Sequence, residues 1–261
     1  MEVHYHDYLQ LEKILNAQAP ESVKHGLPAH DEMLFIVIHQ TYELWFKLII
    51  HELDLVVELM NEGRVRKSTH FMRRVVAIMK VLVQQIHILE TMSPRDFLGF
   101  RDKLNPASGF QSSQFREIEF LAGLKEERFL THFQKDTHAH EALVRRFNAP
   151  SLQDVFYSLL RRDYGMTLPE VKGNSDDKDL ESAKSAAEKE RIQELLPLYN
   201  EDPRYTDLHD LAETFVDLDE LISLWRTHHV TVVERIIGFK RGTGGSEGVG
   251  YLRSTVTKRC F

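Results

Sequence analysis

Apolar side chains recur along most of this chain every three or four positions, the repeat that lines one face of an α-helix. The densest run is His30 to Asp54, HDEMLFIVIHQTYELWFKLIIHELD. Here Leu34, Phe35, Ile36, Val37, Ile38, Leu44, Trp45, Phe46, Leu48, Ile49 and Ile50 occupy nearly every direction around the axis, and no Pro or Gly interrupts them. The pattern predicts one long core helix that several other elements must cover. Asp31 stands where an N-cap is expected, and Glu32 falls in the first turn, where a carboxylate is favoured. A bilayer span is not expected, because His39, Glu43, Lys47, His51 and Glu52 break the apolar run well short of the roughly 18 uninterrupted positions required.

The other elements follow from the same repeat and from local stop and start signals. Tyr5 to Gln18 is a short amphipathic segment, either self-packed or offered to a neighbouring subunit. Thr69 to Met92 predicts a second long helix through Met72, Val75, Val76, Met79, Leu82, Ile86 and Leu89. Ser93-Pro94-Arg95-Asp96 is a helix start, with Ser as cap and Pro at the first helical position, and the helix it opens carries Phe97, Phe100, Arg101 and Leu104. Asn105 to Gly109 breaks it, and another helix begins near Ser112 or Ser113. Lys125 to Phe147 reads as helical but dilute, and Ser151 to Asp154 opens a further helix through a capping-box arrangement. Lys172 to Asp179 is polar and charged, the expected mobile loop. The last long helix is expected from about Asp217 to Arg241, with His229 inside its apolar stripe and His228 pointing elsewhere. No strand alternation, repeat or internal boundary is evident, so one all-α domain over residues 1–261 is predicted.

Composition narrows the function classes. The formal charge of −7 is spread over 33 basic and 40 acidic residues with no basic block, which argues against a nucleic-acid partner. The single cysteine, Cys260, rules out an internal disulfide or a multi-cysteine metal cage. No signal-peptide pattern opens the chain, so a reducing, cytoplasmic setting is expected.

Three features carry candidate chemistry. Phe35, His39 and Glu43 follow one another at i, i+4 and share one helix face. A histidine on an apolar face, as at His39 and His229, is most often a hydrogen-bonded core residue; two on two long helices, in a chain without a cysteine cage, raise a metal or haem site held between helices. A di-iron carboxylate site lacks its paired Glu-x-x-His helices, and a zincin lacks the second histidine of HExxH. Arg101, beside Phe97 and Phe100, is either a surface ion-pair residue or, in a pocket, a planar fork for a substrate carboxylate. Gly238 to Gly250 holds six of the thirteen glycines and reads equally as a flexible surface loop or as a loop covering a ligand, with Thr243 and Ser246 as its donors.

Three blocks then decide a resemblance: HDEMLFIVIHQTYELWFKLIIHEL, GFRDKLNPASGFQSSQFREIEFLAG and LWRTHHVTVVERIIGFKRGTGGSEGVGYLRST, in that order. The chain resembles the tryptophan 2,3-dioxygenases from about Tyr5 to Thr255, least closely between Phe129 and Asp202. The resemblance implies an all-α fold, haem b as cofactor, L-tryptophan and O2 as substrates, and a homotetramer built as a dimer of dimers, with no reductase needed per turnover. It makes His229 the axial iron ligand and His39 the histidine beside the indole N–H. Arg101 becomes the carboxylate-binding residue, and Thr243 contacts the ammonium and carboxylate end. Phe35 and Phe97 flank the indole, and Ser108 lies in the pocket-forming loop on the cofactor side. Tyr5 and Tyr8 become residues that a neighbouring subunit inserts beside the site. Phe97 and Phe115 stand where some relatives have tyrosine, and an insertion relative to short members falls at Glu21 to Leu27. The runner-up reading is a non-catalytic haem- or tryptophan-binding sensor on the same scaffold.

Overall fold

Among the residues that the computed structural model describes, which are 2–135, 137–169, 178–200, 202–238, 240 and 248–261, the side chains of 178–185 excepted, the helical repeats become twelve α-helices and no strand occurs. In chain order these are α1 (Tyr5–Tyr8), α2 (Leu11–Leu15), α3 (Glu21–Lys24), α4 (Asp31–Asn61), α5 (Val65–Leu89), α6 (Pro94–Arg101), α7 (Ser113–Leu121), α8 (His138–Asn148), α9 (Leu152–Tyr164), α10 (Lys178–Leu195), α11 (Thr206–Ile237) and α12 (Val249–Val256). Most of the expected Lys172–Asp179 loop lies outside the described residues.

Local signals set the boundaries of α6 and α9. Ser93 accepts the Asp96 N–H at 3.2 Å with Pro94 in the first turn of α6. At α9 the capping box is complete, Ser151 Oγ accepting from Asp154 N at 3.2 Å and the Asp154 carboxylate accepting from Ser151 N at 2.8 Å. Gly165, at φ +67°, closes that helix in the left-handed conformation, where a Cβ would be strained.

Elsewhere the structure departs from the sequence reading. Asp31 is the first residue of α4 rather than its cap, and α4 continues past Asp54 to Asn61. The N-terminal segment is two short helices, because Gln10 turns into the left-handed region at φ +51°. The last long helix starts at Thr206, since Leu208, Leu211 and Phe215 extend its buried stripe N-terminally, and it ends at Ile237, before Arg241. Between Lys125 and Phe147 a 3₁₀ stretch, Glu127–His132, precedes α8. The expectation that α4 is covered all round is also corrected: Met33, Val37 and Leu44 are about half exposed, so the chain leaves one apolar stripe of α4 open. By length and mean hydropathy α4 could cross a membrane, a test that core helices also pass.

The chain forms two compact units. One comprises Met1–Phe46, Lys80–Ser112 and Ser223–Lys258, and it contains the candidate site. Within it Tyr42 Oη donates to the Leu82 carbonyl at 2.9 Å, and Gln85 Nε2 donates to the Ile38 carbonyl at 3.1 Å, which locks α4 to α5. Buried Arg226 on α11 donates to the carbonyls of Thr255 and Lys258 at 3.3 and 3.1 Å, tying down α12.

The other unit comprises Lys47–Met79, Ser113–Ile222 and Arg259–Phe261. Its core includes Leu53, Met60, Met72, Leu143, Leu152, Leu159, Leu208 and Leu211. Arg146 of α8 joins two acids there, donating to Asp54 at 2.7 Å and to Glu117 at 3.1 Å. Burial disfavours its charged form, yet these two carboxylates raise the guanidinium above its ordinary value. Arg146→Met would strand the enclosed Glu117 carboxylate. The expected cost is about 3 kcal/mol, read as a lower urea midpoint at unchanged m-value.

Candidate active site

The site is built on three helices of the first unit. On α4, Phe35 and His39 are one turn apart and their rings touch, with centroids 4.1 Å apart. On α6, Phe97 and Phe100 pack edge to face at 5.3 Å, and each lies 5.7 Å from Phe35. Phe100 is fully buried and backs the other two rings. The result is an aromatic wall with one imidazole in it, suited to a flat apolar ring. Arg101 is four residues after Phe97 and so shares its face; its side chain is only 14% exposed and lies 3.7 Å from Asp102.

The hydrogen bond of His39 sets its tautomer. Its Nδ1 lies 2.7 Å from the Phe35 carbonyl, which can only accept, so Nδ1 carries the proton. In the neutral ring Nε2 is therefore a free acceptor. Burial pushes the imidazole below its ordinary pKa, against the opposing effects of the Phe35 carbonyl and the Glu43 carboxylate. His39 is thus poised to accept a hydrogen bond from a ligand N–H.

His229, on α11, is held neutral by the same physics. Burial, with a smaller contribution from His39, pushes its pKa down to about 4. Trp225, one turn earlier, lies flat against it, the rings 13° from parallel with centroids 5.2 Å apart. Tyr42 packs edge-on to Trp225 at 6.0 Å, which joins α4 to the His229 side of α11. His228 points elsewhere, as its position a hundred degrees round the helix predicts, and its ring lies 5.4 Å from that of His87. His39 and His229 both keep part of their surface exposed while protein holds them neutral.

This donor set suits a porphyrin better than a bare ion. Among the described residues no group of three or more His, Cys, Asp or Glu could cage a metal. A porphyrin brings four nitrogen donors of its own and needs only an axial partner, and a neutral, ring-stacked imidazole is a suitable one.

The family profile for tryptophan 2,3-dioxygenase matches residues 1–172 and 178–261. The chain belongs to the tryptophan 2,3-dioxygenase family. It is 44% identical over 253 residues to the tryptophan 2,3-dioxygenase of Herpetosiphon aurantiacus, covering 97% of this chain and 92% of that protein. The tryptophan 2,3-dioxygenase of Caulobacter vibrioides is 43% identical over 257 residues, covering 98% and 94%, and that of a Nocardioides species 44% identical over 255 residues, covering 96% and 88%.

Among the residues that the tryptophan 2,3-dioxygenase resemblance singles out, the structure packs the Phe35 ring against both His39 and Phe97. Ser108 caps the 3₁₀ turn Gly109–Gln111, its hydroxyl accepting from Phe110 N at 3.3 Å. Tyr5 and Tyr8 stand about three-quarters exposed on α1. Thr243 and Ser246 lie outside the described residues, with most of the glycine-rich stretch. Phe115 lies in the first turn of α7, in the second unit.

Neither Tyr42 nor Trp225 stands out in the sequence as a site residue. The i, i+4 spacing of Trp225 and His229 was the available signal for their stacking. Nothing local pointed to Tyr42, whose partners come from other helices.

Proposed function

We propose that this chain is a working haem-dependent tryptophan 2,3-dioxygenase. It breaks the indole C2–C3 bond of L-tryptophan, each carbon receives one atom of O2, and the product is N-formyl-L-kynurenine, the opening step of the kynurenine pathway. No net electrons are consumed, so no reductase is needed per turnover. The observation that carries this reading is the pair of histidines on two long helices, His39 packed on the Phe35 ring of an aromatic wall and His229 stacked on Trp225, in a chain matched to the family over nearly its whole length.

His229 would hold the iron of a haem b, with Ser108 in the turn beside the cofactor; in its ferrous state the haem supplies the binding and activation of O2. The remaining work is positioning. Phe35 and Phe97 bracket the indole. His39 Nε2 accepts the indole N–H, a role that orients the ring without needing to remove a very weakly acidic proton. Arg101 grips the carboxylate through two parallel N–H groups, and Thr243 binds the ammonium and carboxylate end.

We place the enzyme in the cytoplasm as a homotetramer, a dimer of dimers. Tyr5 and Tyr8 of one subunit complete the site of the next. The exposed apolar side chains of α1 and of α4, Met33, Val37 and Leu44 among them, support an assembly that covers them.

The test is aerobic turnover by purified, haem-loaded, pre-reduced protein. Formylkynurenine seen by absorbance and mass spectrometry, with one O2 consumed per product, is the expected result. A haem spectrum that shifts with tryptophan while no product forms would overturn the dioxygenase reading.

Phe97 offers a finer test. It lacks the hydroxyl that some relatives carry, so Phe97→Tyr is expected to lower KM for L-tryptophan about threefold, within the ~1 kcal/mol net worth of one hydrogen bond. An unchanged KM would mean that this ring edge does not face the substrate.

A further inference from the structure

Glu32 lies outside the aromatic wall, yet it is only 1% exposed. Its Oε1 accepts the Glu21 N–H at 2.8 Å and its Oε2 accepts the Ser22 N–H at 2.9 Å. Those are the first two N–H groups of α3, donors without a partner inside that helix. Both carboxylate oxygens are thus committed to one segment by charge-assisted bonds.

Further bonds close the segment on itself. Ser22 is fully buried, and its hydroxyl accepts the Ala29 N–H at 3.0 Å. The Leu27 N–H donates to the Ser22 carbonyl, also at 3.0 Å. The stretch Glu21 to Leu27 is therefore a folded loop held to the first turn of α4. Its helix α3 also packs against the 3₁₀ turn Asp102–Leu104, which begins at the residue after Arg101.

We propose that Glu32 is a positioning residue for substrate binding. Through the Glu21–Ala29 loop it sets the α6 turn that carries Arg101 against the α4 turn that carries Phe35 and His39. On that reading the indole lies between α4, which carries Phe35 and His39, and α6, which carries Phe97, while the carboxylate is held by Arg101 at the end of α6, so the site depends on how the two helices are set against each other. The loop touches both elements, and Glu32 is its buried anchor. Small displacements of a binding group are costly, so a loosened anchor weakens the grip on the carboxylate before it affects the haem. The proposal rests on the dioxygenase reading.

Glu32→Gln would set an amide N–H₂ against one of the two backbone N–H groups. Steady-state kinetics are expected to show KM for L-tryptophan raised about tenfold, with kcat within about twofold and the haem content and ferrous spectrum of wild type. Ser22→Ala, which loosens the same loop more gently, should raise KM about threefold. The positioning role is overturned if both variants keep the wild-type KM. It is equally overturned if KM, kcat, haem content and melting temperature all deteriorate together, as a purely structural residue would cause. Absence of N-formylkynurenine from the wild-type control would instead overturn the dioxygenase reading.

Discussion

Replacing His229 by alanine is expected to give a helical protein that no longer shows the wild-type ferrous haem spectrum and whose tryptophan cleavage falls by more than about a hundredfold, beyond the usual loss on removing a ligand's supporting partner. The reason lies in how the residue is prepared. A ligating imidazole must be neutral, and burial pushes His229 down to about 4, so at neutral pH its lone pair is available without a proton to displace. Trp225 lies flat on the ring and restricts its rotation. Alanine removes the ligand and leaves a space the size of an imidazole beside Trp225. Added imidazole should therefore restore part of the ferrous spectrum. His228→Ala serves as the control, because that ring faces His87, and it should retain the spectrum. A wild-type ferrous spectrum in His229→Ala would remove His229 as the iron ligand.

The second large effect is at Arg101. For Arg101→Ala we expect kcat/KM for L-tryptophan to fall about a thousandfold, the equivalent of ~4 kcal/mol, while haem loads normally. The side chain is largely enclosed, so a carboxylate reaching it leaves water, and losing the guanidinium strands that charge. Arg101→Lys should recover only part of the loss, since an ammonium is a point charge and cannot offer two parallel N–H groups. Steady-state kinetics with the ferrous spectrum as control decides the matter. Unchanged catalytic efficiency would show that the substrate carboxylate binds elsewhere.

These two experiments test opposite ends of one arrangement. His229 tests the attachment of the cofactor on α11, and Arg101 the orientation of the substrate from α6. Glu32, through its loop, relates the α6 turn to the α4 wall, and its variants are expected to move KM with little change in the haem spectrum. The three spectral and kinetic patterns are therefore separable.

How much was legible in the chain differs from residue to residue for physical reasons. Helix existence was legible because the 3.6-residue repeat is local, and Ser93 and Ser151 marked their helix starts because a cap is made within three or four residues. Phe35 and His39 could be paired from spacing alone, and they do pack together. The three blocks in order made the family legible, and the match over nearly the whole chain agrees.

What the sequence determined by itself was therefore the all-helical class, the helix starts, the apolar faces and the family. Tertiary structure alone decided which element covers which face and what each polar group meets. The repeat predicted a fully covered α4, whereas its own chain leaves Met33, Val37 and Leu44 partly exposed. Glu32 read as a first-turn acid facing the helix dipole, but its carboxylate is buried against the N–H groups of α3. The proton position on His39 depended on the Phe35 carbonyl, and the neutrality of His229 on the protein packed around it. Periodicity records the direction in which a side chain leaves its own helix; the dielectric, hydrogen-bond partner or ring it meets there belongs to other segments, and only the folded chain brings them together.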